Sequence, residues 1–438
     1  MDLAYLAQIP EQEFVQRREK LLAQMTDNSL TIIFSAQEQI RNKDNYHPFR
    51  QDSYFWYLTG FNEPDAILVL TKTAQQSRTI LFLRPRDPLM ETWNGRRLGV
   101  EKAVAKLNVD EAYSIEDFST QWQKISQNFT ALYHNPEAQP WGNKLLEKSA
   151  VQFSQVFDWA DIVDEMRLIK SANEITLLQQ AGQISALGHL RAMKQTRPNR
   201  LEFEIEGELL HEFNRFGARF PSFNCIVAGG ENGCILHYNE NDQPLKDGEL
   251  VLVDAGCEFA YYAGDITRTY PVNGKFSQAQ REIYEIVLNA QKHAIKSLVV
   301  GSNIQQVNQE VIRIKVEGLV RLGILQGEVD QLIADEAYKA FYMHGLGHWL
   351  GIDVHDVGRY SLEKDSKLRD RPLEVGMVLT VEPGLYIPTN ADVPEQYKGI
   401  GVRIEDDIVI TEYGNKVLTS AVPKEIDEIE QVMAAHNA

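Results

Sequence analysis

Five side chains able to hold a metal interrupt β-type apolar runs in the C-terminal half of this chain. They are Asp254 in LVLVDAG, Asp265 in AGDITRT, His348 in HGLGHWLG, Glu382 in LTVEPG and Glu405 in VRIEDD. A carboxylate seldom sits in such company without a partner. The stretch Val253–Thr269, VDAGCEFAYYAGDITRT, is the densest case: it reads as two strands joined by a short connection, each carrying one aspartate. Singly, each residue has an ordinary explanation. A strand-end aspartate forms a cap or turn, a histidine in a Gly-rich loop is a satisfied core or surface histidine, and a Glu before Pro-Gly belongs to a turn. Together they are harder to dismiss. Four carboxylates converging in a part-buried site repel, and some stay protonated at a cost of several kcal/mol. Two divalent cations remove that conflict by setting four positive charges against four negative ones. An oxygen-rich set with one imidazole suits Mn²⁺, Co²⁺, Fe²⁺ or Zn²⁺ rather than a thiolate-selected metal.

A chain of 438 residues is too long for one ordinary core, so two domains are expected. The net charge of −18 argues against a binder of nucleic-acid backbones, which needs a basic face. Cys225, Cys234 and Cys257 lack CxxC spacing and read as reduced thiols, not as a disulfide framework or a cysteine zinc site. MDLAYLAQIPEQEF shows no basic n-region followed by a long apolar segment, and no apolar run is long enough to span a bilayer. A reducing cytoplasm, with no nucleic-acid or membrane partner, is the expected setting.

QEFVQRREKLLAQM has helical spacing, SLTIIFSA, DAILVLTK and RTILFLRP read as strands, and helical stretches near Glu101–Leu107 and Trp122–Ile125 precede a strand at Thr130–Tyr133. This predicts an α/β domain with an open sheet over residues 1–170. Ser171-Ala-Asn-Glu174 is a capping-box signature that opens a long helix and a second domain, 171–438. Further helices are expected at Glu202–Phe216, Ser277–Val299 and Ile304–Leu322, with the site residues on strands and loops between them. The acidic, Ala-ending tail reads as frayed.

In order and in context, Asp254, Asp265, His348, Glu382 and Glu405 resemble the five ligands of the pita-bread metallopeptidases, a family that includes methionine aminopeptidase, prolidase and aminopeptidase P. CILHYNEND, HWLGIDVHDVG and VRIEDDIVITEYG are similar to aminopeptidase P in particular, as are RQDSYFWYLTGFNEPDA and METWNGRRLG in the N-terminal half. The resemblance covers nearly the whole chain. It implies an α/β (α+β) protein: a creatinase-like N-terminal domain, then a pita-bread catalytic domain with a curved antiparallel sheet flanked by helices. It implies two divalent ions, Mn²⁺ first among the candidates, bridged by Asp265 and Glu405, with Asp254 on one ion and His348 and Glu382 on the other. A hydroxide between the ions would attack the first peptide bond of a peptide with proline second, and Glu382 would carry the proton to the leaving nitrogen.

The resemblance also implies that His355 faces the tetrahedral oxygen, while His237 and His344 line the proline side. The other reading of the three histidines is that they support the ligands from behind or serve packing. Arg403 is placed to pair with a carboxylate or to orient substrate, and Tyr386 either hydrogen-bonds within the site or packs. Trp93 sits among charged residues, where an indole ordinarily covers a core edge. The resemblance instead sends it to a neighbouring subunit's site in a homo-oligomer, a dimer or tetramer, with Asp44 near the site entrance. Two other readings stand beside the Xaa-Pro aminopeptidase one: a prolidase acting on Xaa-Pro dipeptides, and a non-catalytic binding module on a peptidase fold.

Overall fold

A computed structural model of the chain describes residues 8–149 and 151–435. They form two compact units, one from Ile9 to Met166 and one from Arg167 onward. The division falls inside the helix Ala160–Leu168 rather than at its end. The side chains explain this. Arg167 pairs with Asp353 and Asp356, and Leu168 is buried in a core cluster with Trp349 and Leu379, so the helix's last turn belongs to the second unit.

The first unit is built on a six-stranded sheet in the order Glu111–Ser114, Ser77–Leu83, Ile67–Lys72, Ser29–Phe34, Ala131–Tyr133 and Gln155–Phe157. Ile67–Lys72 runs antiparallel to both neighbours, whereas Ser29–Phe34 and Ala131–Tyr133 are parallel. Ser29–Phe34 is buried along its whole length, which is why it reads as a continuous apolar run without alternation. Trp93 lies on a short exposed helix, Pro88–Asn94, and is 78% exposed, so the indole covers no core edge.

The second unit opens on the helix Ala172–Gln195, where Ser171 and Glu174 form the expected capping box. Its strand pairs are antiparallel: Leu250–Asp254 lies between Ile226–Gly229 and Thr267–Pro271, Val378–Val381 pairs with Asp406–Thr411, and Gly384–Ile387 pairs with Ile400–Arg403. The helices Gln278–Ser297 and Ile304–Arg321 pack against these sheets through Ala290, Val307 and Val311. Antiparallel sheets flanked by helices are what the resemblance implies. Among the described residues, no helix is long and apolar enough to cross a membrane.

Two expectations fail. Asp254 and Asp265 are not joined by a short connection: a small hairpin, Cys257–Phe259 with Tyr262–Ala263, stands between them, and Asp265 precedes its strand. The hairpin turns at Ala260 and Tyr261, both at positive φ (49° and 75°), where Asn or Gly would ordinarily announce a turn. The acidic tail is not frayed as far as Ala434. Ile426–Ala434 is a helix that buries Ile429 and Met433 and ion-pairs Glu430 with Lys275 and Arg281. The last residues, 436–438, lie outside the described part.

The two aspartate-bearing segments cross with almost no space between them. A Cβ at Gly256 would stand 1.7 Å from the Gly264 carbonyl oxygen and 2.9 Å from the Asp265 nitrogen. Gly256→Ala is therefore expected to push the Asp265 backbone aside and to destabilise the unit by about 1–3 kcal/mol, the usual range for overpacking. Urea unfolding measures this, and an unchanged midpoint would refute the crossing.

Candidate metal centre

Each of the five carboxylate and histidine side chains sits at a strand end or a break between strands, where the backbone turns inward. Asp254 ends its strand opposite Thr267. The Asp265 N–H donates to Asp407 Oδ2 at 3.0 Å. Glu405 follows the strand Ile400–Arg403, its N–H donates to the Thr267 carbonyl at 3.0 Å, and its carboxylate accepts from the Thr267 hydroxyl at 2.5 Å. Thr380 joins the other two: its hydroxyl accepts from the His348 N–H at 3.1 Å and donates to Glu382 Oε1 at 3.2 Å. Gly347 makes that contact possible, because a Cβ there would stand 2.0 Å from the Thr380 carbonyl oxygen.

Asp265, His348 and Glu405 each offer a ligand atom within 4.8 Å of the others. His348 Nε2 is 3.5 Å from Asp265 Oδ2 and 3.5 Å from Glu382 Oε1. His348 Nδ1 lies 3.0 Å from the Trp349 carbonyl, which can only accept, so Nδ1 carries a proton. The ring's other nitrogen, Nε2, is left to face the two carboxylate oxygens. That arrangement calls for a cation between them, and the backbone bond on the far nitrogen is the usual support of a ligating imidazole.

The electrostatics agree. Burial and the neighbouring carboxylates, Asp254 first, hold the Asp265 carboxyl well above its usual range. Burial, then Asp265 and Glu382, do the same to Glu405. Burial also raises Glu382, although His348 and Arg403 oppose it. Asp254 Oδ1 and Asp407 Oδ1 are buried without a hydrogen-bond partner. Without a cation Asp265, Glu382 and Glu405 hold their protons more tightly than free carboxyls, and a cation favours their ionised, ligating form. The donor set, four carboxylates and one imidazole with unspent acceptors, fits hard or borderline divalent ions.

Around this cluster lies a cavity of about 670 Å³ that takes in Asp254, Asp265, His348, Glu382 and Glu405, with His237, His344, His355 and Arg403 on its walls. The His355 ring packs edge-on to His348, centroids 4.2 Å apart. His344 Nδ1 donates to the Gly345 carbonyl at 2.8 Å, so its Nε2 accepts from the Tyr386 hydroxyl at 2.8 Å. Burial, then the Arg403 charge, pushes the His344 pKa down to about 3, so the ring is neutral across ordinary pH. Arg403 donates to the Tyr386 oxygen at 3.0 Å and to Asp254 Oδ2 at 2.6 Å. Tyr386 is fully buried behind the wall, where it does hydrogen-bond within the site. Trp93 and Asp44 belong to the other unit, both exposed. Asp44 sits in the turn between the short strands Ile40–Asn42 and Asn45–Tyr46.

Several site residues lie outside the motifs quoted above. Arg369, Tyr360 and Phe223 also line the cavity. Arg369 and Tyr360 come from an irregular segment, and Phe223 looks like an ordinary core residue. Thr267 was within reach, since it lies two residues after Asp265 in a β-type run.

The sequence matches metallopeptidase family M24 over residues 176–412 and the aminopeptidase P N-terminal domain over residues 14–133. It is 66% identical to a Haemophilus influenzae Xaa-Pro aminopeptidase, over 99% of this chain and 100% of that one. Against the Escherichia coli Xaa-Pro aminopeptidase the identity is 52%, over 98% and 99%. The fold superposes on zinc-substituted E. coli aminopeptidase P in complex with product with a TM-score of 0.96, at 51% identity over 98% of this chain and 99% of that one. Proline aminopeptidase P II from Yersinia pestis gives a TM-score of 0.95, at 50% identity over 98% and 100%.

Proposed function

We infer the reaction from one premise: the chain belongs to metallopeptidase family M24. It has the pita-bread catalytic domain of that family behind an aminopeptidase P N-terminal domain. It is a metal-dependent Xaa-Pro aminopeptidase, removing the N-terminal residue from peptides with proline second. The observation that carries this reading is the convergence of His348 Nε2 on Asp265 and Glu382, each at 3.5 Å, in a buried group where Asp254 Oδ1 has no hydrogen-bond partner.

Asp254, Asp265, His348, Glu382 and Glu405 would hold two divalent ions, Mn²⁺ foremost among the candidates. Bound there, the ions supply Lewis acidity and make water acidic enough to act as a nucleophile near neutral pH. Thr380 engages Glu382 Oε1 and leaves Oε2 to take the nucleophile's proton and return it to the leaving nitrogen. His355, on the wall beside His348, donates to the developing oxyanion. His237 and the neutral His344 border the proline ring, and a neutral imidazole suits an apolar ring better than a charged one. Arg403, fixed by Asp254 and Tyr386, orients the site from behind. Exposure of Trp93 and Leu89 on one helix supports a homo-oligomer, a dimer or tetramer, in which Trp93 and Asp44 serve a neighbouring site. A cytoplasmic setting accords with three free cysteines.

The test is hydrolysis of an Xaa-Pro-Xaa tripeptide by chelator-stripped protein reloaded with Mn²⁺. Release of the first residue, absent before reloading, is expected. Cleavage of Xaa-Pro dipeptides with the tripeptide left intact would make the protein a prolidase.

A further inference from the structure

One buried titratable group takes no part in the chemistry above. Lys315, on the helix Ile304–Arg321, is 1% exposed, and its Nζ has no hydrogen-bond or ion-pair partner among the described residues. A lysine on the core face of a helix is costly unless something receives its amine. Here that is the face of the Tyr342 ring, over which Nζ is placed. Burial without any opposing charge holds the amine well below the usual lysine range, so an N–H directed at the π face is the contact left to it. The same helix holds the other end of Tyr342: its hydroxyl donates to Asn308 Oδ1 at 3.1 Å. Asn308 and Lys315 are seven residues apart, two helical turns, hence on one face. The ring so gripped packs edge-on to His344, centroids 4.8 Å apart, and the Tyr386 N–H bonds the Phe341 carbonyl at 2.9 Å beside it.

We propose that Lys315 is a positioning residue for the proline-side wall: with Asn308 it fixes the Tyr342 ring, and Tyr342 fixes the plane of His344. The helix thereby sets how closely His344 borders the substrate's second residue. This rests on the reading of His344 given above. Removal of the amine loosens the wall against which proline is recognised, and leaves the metal ligands and Glu382 where they are. The consequence falls on discrimination at the second residue, and on KM before kcat.

The experiment compares wild type, Lys315→Met and Tyr342→Phe, all metal-replete, on a matched Xaa-Pro-Xaa and Xaa-Ala-Xaa pair. Methionine keeps the stem volume and drops the amine, while phenylalanine keeps the ring and drops the Asn308 anchor. The ratio of kcat/KM values is expected to fall about tenfold in Lys315→Met and about threefold in Tyr342→Phe, through KM of the proline peptide, with metal content unchanged. A lysine needed only for folding would lower the yield of active enzyme and leave that ratio intact. Should Lys315→Met fail to fold, Tyr342→Phe decides alone, and a wild-type ratio there overturns the proposal. If wild type itself shows no preference for proline, the reading of the site falls and takes this inference with it. If wild type discriminates and both variants match it, the inference alone falls.

Discussion

Glu405→Gln is expected to leave a folded protein whose kcat/KM is lower by about 10³ or more, and whose metal-free form is no less stable than wild type. The two halves of that outcome share one cause. Gln retains an oxygen for the Thr267 hydroxyl and matches the volume of Glu, so packing survives. What disappears is one negative charge from a buried group in which Asp265, Glu405 and Glu382 all have raised pKa values. In the metal-free protein that charge is a liability. A carboxyl whose folded pKa lies above its unfolded value contributes stability at low pH, where it is protonated in both states. It loses that contribution as pH rises through the folded value. Wild-type protein without metal should therefore weaken as pH climbs from about 4.5, and Glu405→Gln should weaken less. Mn²⁺ reverses the order, because ions that bind only the folded state stabilise it in proportion to the logarithm of their concentration over Kd. Melting curves from pH 4 to pH 8, with and without Mn²⁺, together with metal content and kcat/KM, measure all of this. A Glu405→Gln protein that holds two ions per chain and hydrolyses Xaa-Pro peptides at the wild-type rate would remove Glu405 from the centre.

The strands and the long helices were legible because their apolar spacing is regular and their caps are local. Ser171 and Glu174 announce a helix from four consecutive residues, and the structure places it there. The five polar residues that meet at the cavity were legible for the opposite reason: each breaks an apolar run, and caps and turns that explain them singly do not explain the set. Residues whose burial is decided by distant chain were not. Lys315 falls four residues from both Val311 and Leu319, on the core face of its helix, but only the arrival of Tyr342 from 27 positions away shows what receives its amine. The turn at Ala260–Tyr261 left no trace, since neither residue favours positive φ and the hairpin is held by its surroundings. The C-terminal helix did leave a trace. Ile426, Ile429 and Met433 recur at helical spacing in an acidic segment, and the charges distracted from an apolar face that docks. Asp406 was hidden by its neighbour Glu405, although the two side chains leave the strand on opposite sides toward different partners.

That opposite side carries the second large effect. Arg268→Met is expected to cost about 3–5 kcal/mol of stability and, in the protein that still folds, to weaken metal binding. Arg268 is fully buried and every donor it has is used: it bonds the carbonyls of Thr267, Glu405, Val422 and Pro423, and Asp406 Oδ1 at 2.7 Å. It thus ties the strand after Asp265 to the backbone of Glu405, at 2.6 Å, and so sets the separation of Asp265 and Glu405. Methionine fills the space, yet it leaves Asp406 with Lys424, Gln291 and Thr419 and leaves those carbonyls without their donor. Asp406→Asn should cost less, because the amide still accepts one bond and Arg268 keeps its four carbonyls. The pair also fixes a pH dependence. Burial alone would raise Asp406, but Arg268 and Lys424 outweigh it and bring its pKa down to about 2. A depressed carboxyl contributes stability above its unfolded value, near 3.8, and loses it as pH falls toward 2. Wild type should therefore lose stability steeply below pH 4, and Asp406→Asn should show a shallower acid limb. Urea titrations of both variants and their combination, at pH 7 and pH 3, give the coupling. Additive costs at pH 7 would mean that Arg268 acts through its four carbonyls alone and that the ion pair contributes nothing.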